Sequence, residues 1–221
     1  PLTIASALQS GVITKTTTVD TNPGYMSIGR YTISDVPRNN GVLDTTGVIT
    51  RSSNIGAAKI AARMTDETFY RHVHAFGYGQ APHSGFPGES SGVLPRPERW
   101  SGSSKTTMSY GYGMSVTPLQ IATAYTALGN DGKLMPPTFV KGEHQEPRQV
   151  IDAQIARDVV AMMETVVTQG GAKQAAVLGY HVAGKTGTAR KAGPNGYERG
   201  HYNALFAGVV PATNPRFATV I

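Results

Sequence analysis

Cysteine is missing from the 221-residue chain. Disulfides, thiolate metal sites and a cysteine nucleophile are therefore excluded from it. Charge is scarce as well, at 15% of residues. Lys and Arg outnumber Asp and Glu, for a formal charge of +6, but no basic run exceeds two residues and none is interleaved with aromatics. No nucleic-acid footprint is expected from that pattern; attraction to an anionic surface or polymer fits it better. Long apolar runs are also missing. The best are 205–210 and 159–163, well short of the ~18 residues that span a bilayer. No basic-then-apolar leader opens the chain, so any anchor or leader is expected outside it. What is plentiful is glycine (26) and proline (14), and hence loops, within an apolar fraction of 39% that suits a globular domain.

The ends read as internal. "PLTIASALQSG" places Leu2, Ala5 and Leu8 at helical spacing and stops at Gly11, like a helix without its start. "RFATVI" ends in β-branched residues with no turn after them, like an unfinished strand. The expectation is one internal piece of a larger domain, with residues 1–177 mainly helical with long loops and 178–221 carrying sheet strands.

Helices are expected over 47–64, interrupted near Ser52, Ser53 and Asn54; after a Thr65 cap, up to Gly77; after Thr117–Pro118, up to Gly129; and after Asp152, up to Gly170. Residues 78–107 read as a long Gly/Ser/Pro loop, and "PPTFV" as a loop leading into a short edge strand. From Tyr180 to Thr188 a period of two predicts a strand. A Gly/Pro turn and the apolar strand "ALFAGVV" follow. Helices first and antiparallel strands last predict an α+β class of α/β fold, a helical body packed beside an antiparallel sheet.

The stretch "GYHVAGKTGTARK" fits two patterns. Gly179 to Thr186 matches a P-loop, G-x-x-x-x-G-K-T. That motif needs a strand before its first glycine and a helix after its Lys-Thr, and neither is readable here, so a P-loop NTPase is the weakest reading. From Lys185 the same stretch is K-T-G followed by Thr188, a motif of serine enzymes that handle penicillins. On a strand, Gly187 lets another backbone or a ligand approach. An extended peptide can add to the strand edge, and a backbone N–H there can serve an oxyanion hole. Lys185 supplies positive charge and can support proton transfer. Ser52–Ser53–Asn54 is S-x-N, where Ser52 can relay a proton and Asn54 can bind a peptide group. Alone, the triplet fits an ordinary helix cap equally well.

Three blocks occur in order: "RSSNIGAAKIA", "SYGYGMSVTPLQIATAYTALGNDG" and "GYHVAGKTGTARK". Together they resemble the transpeptidase domain of class B penicillin-binding proteins, nearest the division-specific septal D,D-transpeptidase type. "GYMSIGRYTISDV" and "NNGVLDTTGVI" resemble that type too. The family has three active-site motifs, S-x-x-K, S-x-N and K-T/S-G. Two map to Ser52–Asn54 and Lys185–Gly187. No lysine of this chain has a serine three residues before it, so the nucleophilic serine and its lysine are expected upstream of Pro1.

The resemblance implies a penicillin-binding, serine β-lactamase-like transpeptidase fold and acyl transfer through a serine ester. It implies catalytic roles for Ser52, Asn54, Lys185 and Thr188. Ser53, Thr186, Gly187, Arg190, Tyr110, Tyr112 and Val36 would contact substrate or β-lactam. For Arg190 a solvated strand-end charge remains an alternative, and for the tyrosines ordinary loop packing. His72 and His74 form H-x-H, but helical spacing puts them on different faces and no third ligand is evident; packing or surface roles are expected. His181 and His201 are expected in strand or loop. No metal or organic cofactor is implied. Implied partners are D-Ala-D-Ala stem peptides, β-lactams and division-machinery membrane proteins, with the domain in the periplasm of an inner-membrane-anchored protein. A D-Ala carboxypeptidase, a serine β-lactamase and a β-lactam sensor share the fold, and a non-catalytic peptide-binding module is the rival of another class.

Overall fold

The computed structural model describes residues 1–29, 31–143, 145–193 and 196–221. The chain opens with α1 (Leu2–Gln9), whose Ile4, Ala5 and Ala7 are buried. Four short strands follow: β1 (Thr18–Asp20), β2 (Tyr25–Ile28), β3 (Tyr31–Ser34) and β4 (Val42–Asp44). β2 and β3 form a hairpin, and β1 pairs antiparallel with β4. The helices-then-strands reading did not include these pairs. Each strand is only three or four residues long, too short for alternation to stand out from loop sequence.

The helix expected over 47–64 is two helices, α2 (Thr45–Thr50) and α3 (Asn54–Ala61). Asp44 caps the first by accepting from the Gly47 N–H at 2.7 Å. The interruption falls where it was expected, at Ser52. α4 (Asp66–Ala75) starts at its Thr65 cap, and its acidic first turn suits the helix dipole. The 78–107 segment is loop except for a 3-10 turn at Pro97–Arg99 and the start of α5 (Ser104–Ser109). α5 eluded the sequence because Ser, Thr and Lys give it no apolar stripe.

α6 (Pro118–Gly129) begins with a capping box: Thr117 accepts from the Gln120 N–H, and the Gln120 side chain accepts from the Thr117 N–H. The short strands β5 (Lys133–Leu134) and β6 (Arg148–Gln149) pair, while 136–140 is not strand, contrary to the expectation for "PPTFV". Its two prolines supply no N–H for a ladder. α7 (Ala153–Thr168), capped by Asp152, buries Ala156, Val159, Val160, Met162, Met163, Val166 and Val167 along one face. Each fully buried aliphatic side chain there stabilises the fold by about 1.5–3 kcal/mol.

The sheet consists of β7 (Ala183–Gly193), β8 (Gly196–Val210) and β9 (Phe217–Val220), all antiparallel in that order. α7 packs on β7, and α6 on β8 and β9. β7 starts three residues later than the alternation predicts. Val177 and Tyr180 close a tight turn in which Gly179 has φ +82°, so the stretch before Ala183 is a turn leading into the strand. Thr186 is followed by strand, β7 running on to Gly193, which removes the P-loop geometry.

Candidate active site

Among the described residues β7 pairs only with β8, so its other edge is open. Along it Thr186, Thr188 and Arg190 are exposed, whereas Lys185 and Gly187 are half-buried. The Arg190 N–H donates to the Tyr112 hydroxyl at 3.2 Å, so that N–H faces away from β8. Residues two apart in an antiparallel strand direct their N–H groups to the same side. The Thr188 N–H therefore faces the same open edge. A Cβ on Gly187 would press on Leu205 of β8 at 3.2 Å, so the glycine relieves a cross-strand contact as well as the ligand approach expected of it.

Lys185 and Ser52 lie 133 residues apart in sequence, yet Nζ donates to Ser52 Oγ at 2.7 Å and to the Thr186 carbonyl at 2.9 Å. Burial pushes the Lys185 amine down to about 8. Pro1, just ahead of α1, lies close enough to feel the Lys185 charge. The start of α1, the α2–α3 junction and β7 thus converge. Ser52 itself has φ +54°, the left-handed region that non-glycine residues rarely occupy.

Ser53 is buried. It caps α3 by accepting from the Gly56 N–H at 2.8 Å and donates to Asp35 Oδ2 at 2.6 Å. Grouped with ligand-contacting residues on sequence, it is instead turned inward with its hydroxyl fully engaged. Within the triplet the helix cap is thus Ser53. Asn54 donates through Nδ2 to the Ser34 carbonyl at 2.9 Å and is only half-buried. Val36 is 85% exposed, one residue beyond the buried Asp35.

Tyr110 and Tyr112 meet edge to face, ring centroids 5.8 Å apart. Tyr110 packs on Ile33, Ile55 and Ala58, while Tyr112 reaches the β7 edge. The pair joins the S-x-N side to the K-T-G side. The structure thus bonds Ser52 to Lys185 and Tyr112 to Arg190, five residues further along β7, and sets Asn54 and Tyr110 both against β3 and α3.

Asp35 was missed by sequence reasoning. One signal was present: Ile33 of β3 faces inward, and Asp35, two residues on, falls on the same side. His74 stacks on Tyr70, and His181 pairs with Glu164 at 2.5 Å. Among the described residues no group of three or more His, Asp or Glu side chains is placed to hold a metal ion. A hollow of about 370 Å³, lined by His83, Ser84, Gly85, Thr138, Glu143 and Gln145, shares none of the convergent residues. It has no counterpart to the bonded amine and hydroxyl, so chemistry rather than volume marks the site.

A lowered amine bonded to a hydroxyl, beside an open strand edge with main-chain donors, is equipped to move protons while an extended ligand lies along the edge. A helical body, a three-stranded antiparallel sheet and this junction define the serine acyl-transfer class of penicillin-binding folds. The model of the penicillin-binding protein transpeptidase domain matches residues 1–221. The chain belongs to that family. It is 41% identical over 223 residues to peptidoglycan D,D-transpeptidase FtsI of Escherichia coli K12, covering 100% of this chain and 37% of that protein. The transpeptidase domain of Burkholderia pseudomallei penicillin-binding protein 3 superposes with a TM-score of 0.93 at 41% identity, covering 100% of this chain and 67% of that one. Penicillin-binding protein 3 of Mycobacterium tuberculosis, solved with aztreonam, superposes at 0.91 with 33% identity, covering 99% and 53%.

Proposed function

We propose that the full protein is a serine-type peptidoglycan D,D-transpeptidase that cross-links stem peptides during septal wall synthesis and is acylated by β-lactams. The observation that carries this reading is the 2.7 Å bond between Lys185 Nζ and Ser52 Oγ, at the open edge of β7. It is supported by the similarity to a peptidoglycan D,D-transpeptidase and to a protein solved with aztreonam.

In this reading a serine lying just before Pro1 attacks the carbonyl carbon of the penultimate D-Ala. A C–O bond forms and the C–N bond to the terminal D-Ala breaks. The serine proton travels through Ser52 and Lys185 to the leaving amine. The amine of a neighbouring stem peptide then attacks the ester, loses its proton and restores the serine hydroxyl. The Thr188 N–H stabilises the oxyanion. Asn54 holds the ligand amide, Thr186 and Thr188 hold the terminal carboxylate through their hydroxyls, and Arg190 reaches the same negative end. Tyr110, Tyr112 and Val36 wall the ligand. The scheme calls for no metal or organic cofactor. It places the domain in the periplasm, on a protein anchored in the inner membrane and working with division-machinery membrane proteins.

The test is covalent labelling. The full-length protein, mixed with a fluorescent penicillin and run on a denaturing gel, is expected to give a labelled band that vanishes when the upstream serine becomes alanine. No band, or a band that survives that change, overturns the assignment.

A further inference from the structure

We propose that Asp35 is a positioning residue for the proton-transfer side of this site, holding the S-x-N segment in the conformation that places Ser52 against Lys185. The inference deepens the transpeptidase reading and rests on it for its kinetic consequence. Asp35 is 1% exposed. Its Oδ2 accepts from the Ser53 hydroxyl at 2.6 Å and from Asn40 Nδ2 at 3.1 Å, and its Oδ1 accepts from the Ile55 N–H at 3.0 Å. Beside it, the Ser34 carbonyl accepts from Asn54 at 2.9 Å. Three consecutive residues, 53 to 55, are therefore gripped by two consecutive residues at the end of β3.

The grip bears directly on Ser52. That residue sits at φ +54° immediately before the gripped segment. A serine left to itself relaxes toward negative φ, because the left-handed region crowds Cβ against the backbone. Relaxation swings Oγ away from Lys185. The segment cannot follow while Ser53 and Ile55 are tied to one carboxyl group. Asparagine at 35 cannot replace it: an amide accepts at one atom only, so in either orientation its NH₂ confronts a donor, Asn40 Nδ2 or the Ile55 N–H. Among the described residues the Asp35 carboxyl is bonded to Ser53, Ile55 and Asn40, so its influence on Ser52 passes through the 53–55 segment.

The experiment uses the full-length protein, wild type and Asp35→Asn, with two readouts. Fluorescent penicillin labelling separates the rate of acylation from the fraction of protein acylated at the end point. Hydrogen exchange reports the Ile55 and Gly56 amides. Asp35→Asn is expected to label about tenfold or more slowly, since a displacement of 1 Å at such a group costs up to about 10²-fold, with the end-point fraction unchanged. The Ile55 and Gly56 amides are expected to lose protection while those of β7 keep theirs. An unchanged rate with a reduced labelled fraction marks a merely structural role and overturns the proposal. So does unchanged protection at Ile55 and Gly56. If Asp35→Asn does not fold, Asn40→Ala removes one of the three donors, and a smaller slowing of the same kind supports the proposal; an unaltered rate contradicts it. If wild-type protein does not label at all, the transpeptidase reading fails by itself, and the exchange arm alone decides whether Asp35 holds the segment.

Discussion

Ser52 trades backbone comfort for the position of its hydroxyl. The left-handed φ costs a non-glycine residue about 1–2 kcal/mol. Ser52→Gly is therefore expected to leave the protein as stable or up to about 1 kcal/mol more stable in urea unfolding. The same change removes the hydroxyl proposed to relay the proton, and full-length Ser52→Gly is expected to acylate with fluorescent penicillin about 10²-fold more slowly. A variant both less stable and equally fast would contradict the geometry. Lys185 makes a prediction in pH. Its folded-state value of about 8 lies below that of an exposed lysine, so the unfolded chain holds the extra proton above pH 8. Stability then rises with pH from about 8 to about 10.4, where the unfolded lysine finally discharges. Lys185→Met is expected to lose that rise, by about 1 kcal/mol between pH 7.5 and 9.5 after allowance for solvent screening. The check is urea midpoints of both proteins at the two pH values.

Among the elements, α6 shows how one polar side chain organises a loop. Gln120 is 2% exposed, and its Nε2 donates to the carbonyls of Gln80 and Ser91 at 2.9 and 2.8 Å, while its Oε1 accepts from the Thr117 N–H. Gln120→Leu strands those carbonyls and breaks the capping box. A loss of about 3 kcal/mol is expected, with faster hydrogen exchange concentrated in 77–92; exchange that rises uniformly would speak against a local role. The cap itself was legible in advance, as were those at Thr65 and Asp152, because a cap is a local bargain between a side chain and the next three N–H groups. The alternation of β7 was legible for the same reason, although its first three residues were lost to a turn set by Gly179. What stayed hidden depended on distant partners. Asp35 is an acid among β-branched residues until α3 is folded over it, and Tyr112 is one of two loop tyrosines until Arg190 of β7 arrives beneath it. Ser53 was misplaced because type alone cannot say which of two adjacent serines turns inward.

For the whole molecule, Ser52 and Lys185 form a hydroxyl–amine pair that could in principle serve as nucleophile and base. The mechanism proposed above gives them the relay role instead, and the two roles differ in outcome. The 221-residue chain by itself, which contains no S-x-x-K, is expected to show no fluorescent penicillin band on a denaturing gel. A stable band lost in Ser52→Ala would make Ser52 the attacking group. The open edge of β7 has a further consequence for how such a protein adapts to an inhibitor. Its donors are main-chain N–H groups, and no codon change deletes them short of proline, which would also break the strand. On the proposed reading, escape would have to come from side chains, at Thr186, Thr188 or Arg190 on the strand or at Tyr110, Tyr112, Val36 and the Asp35 grip beside it, so that a compound loses its fit while the main-chain rail stays intact.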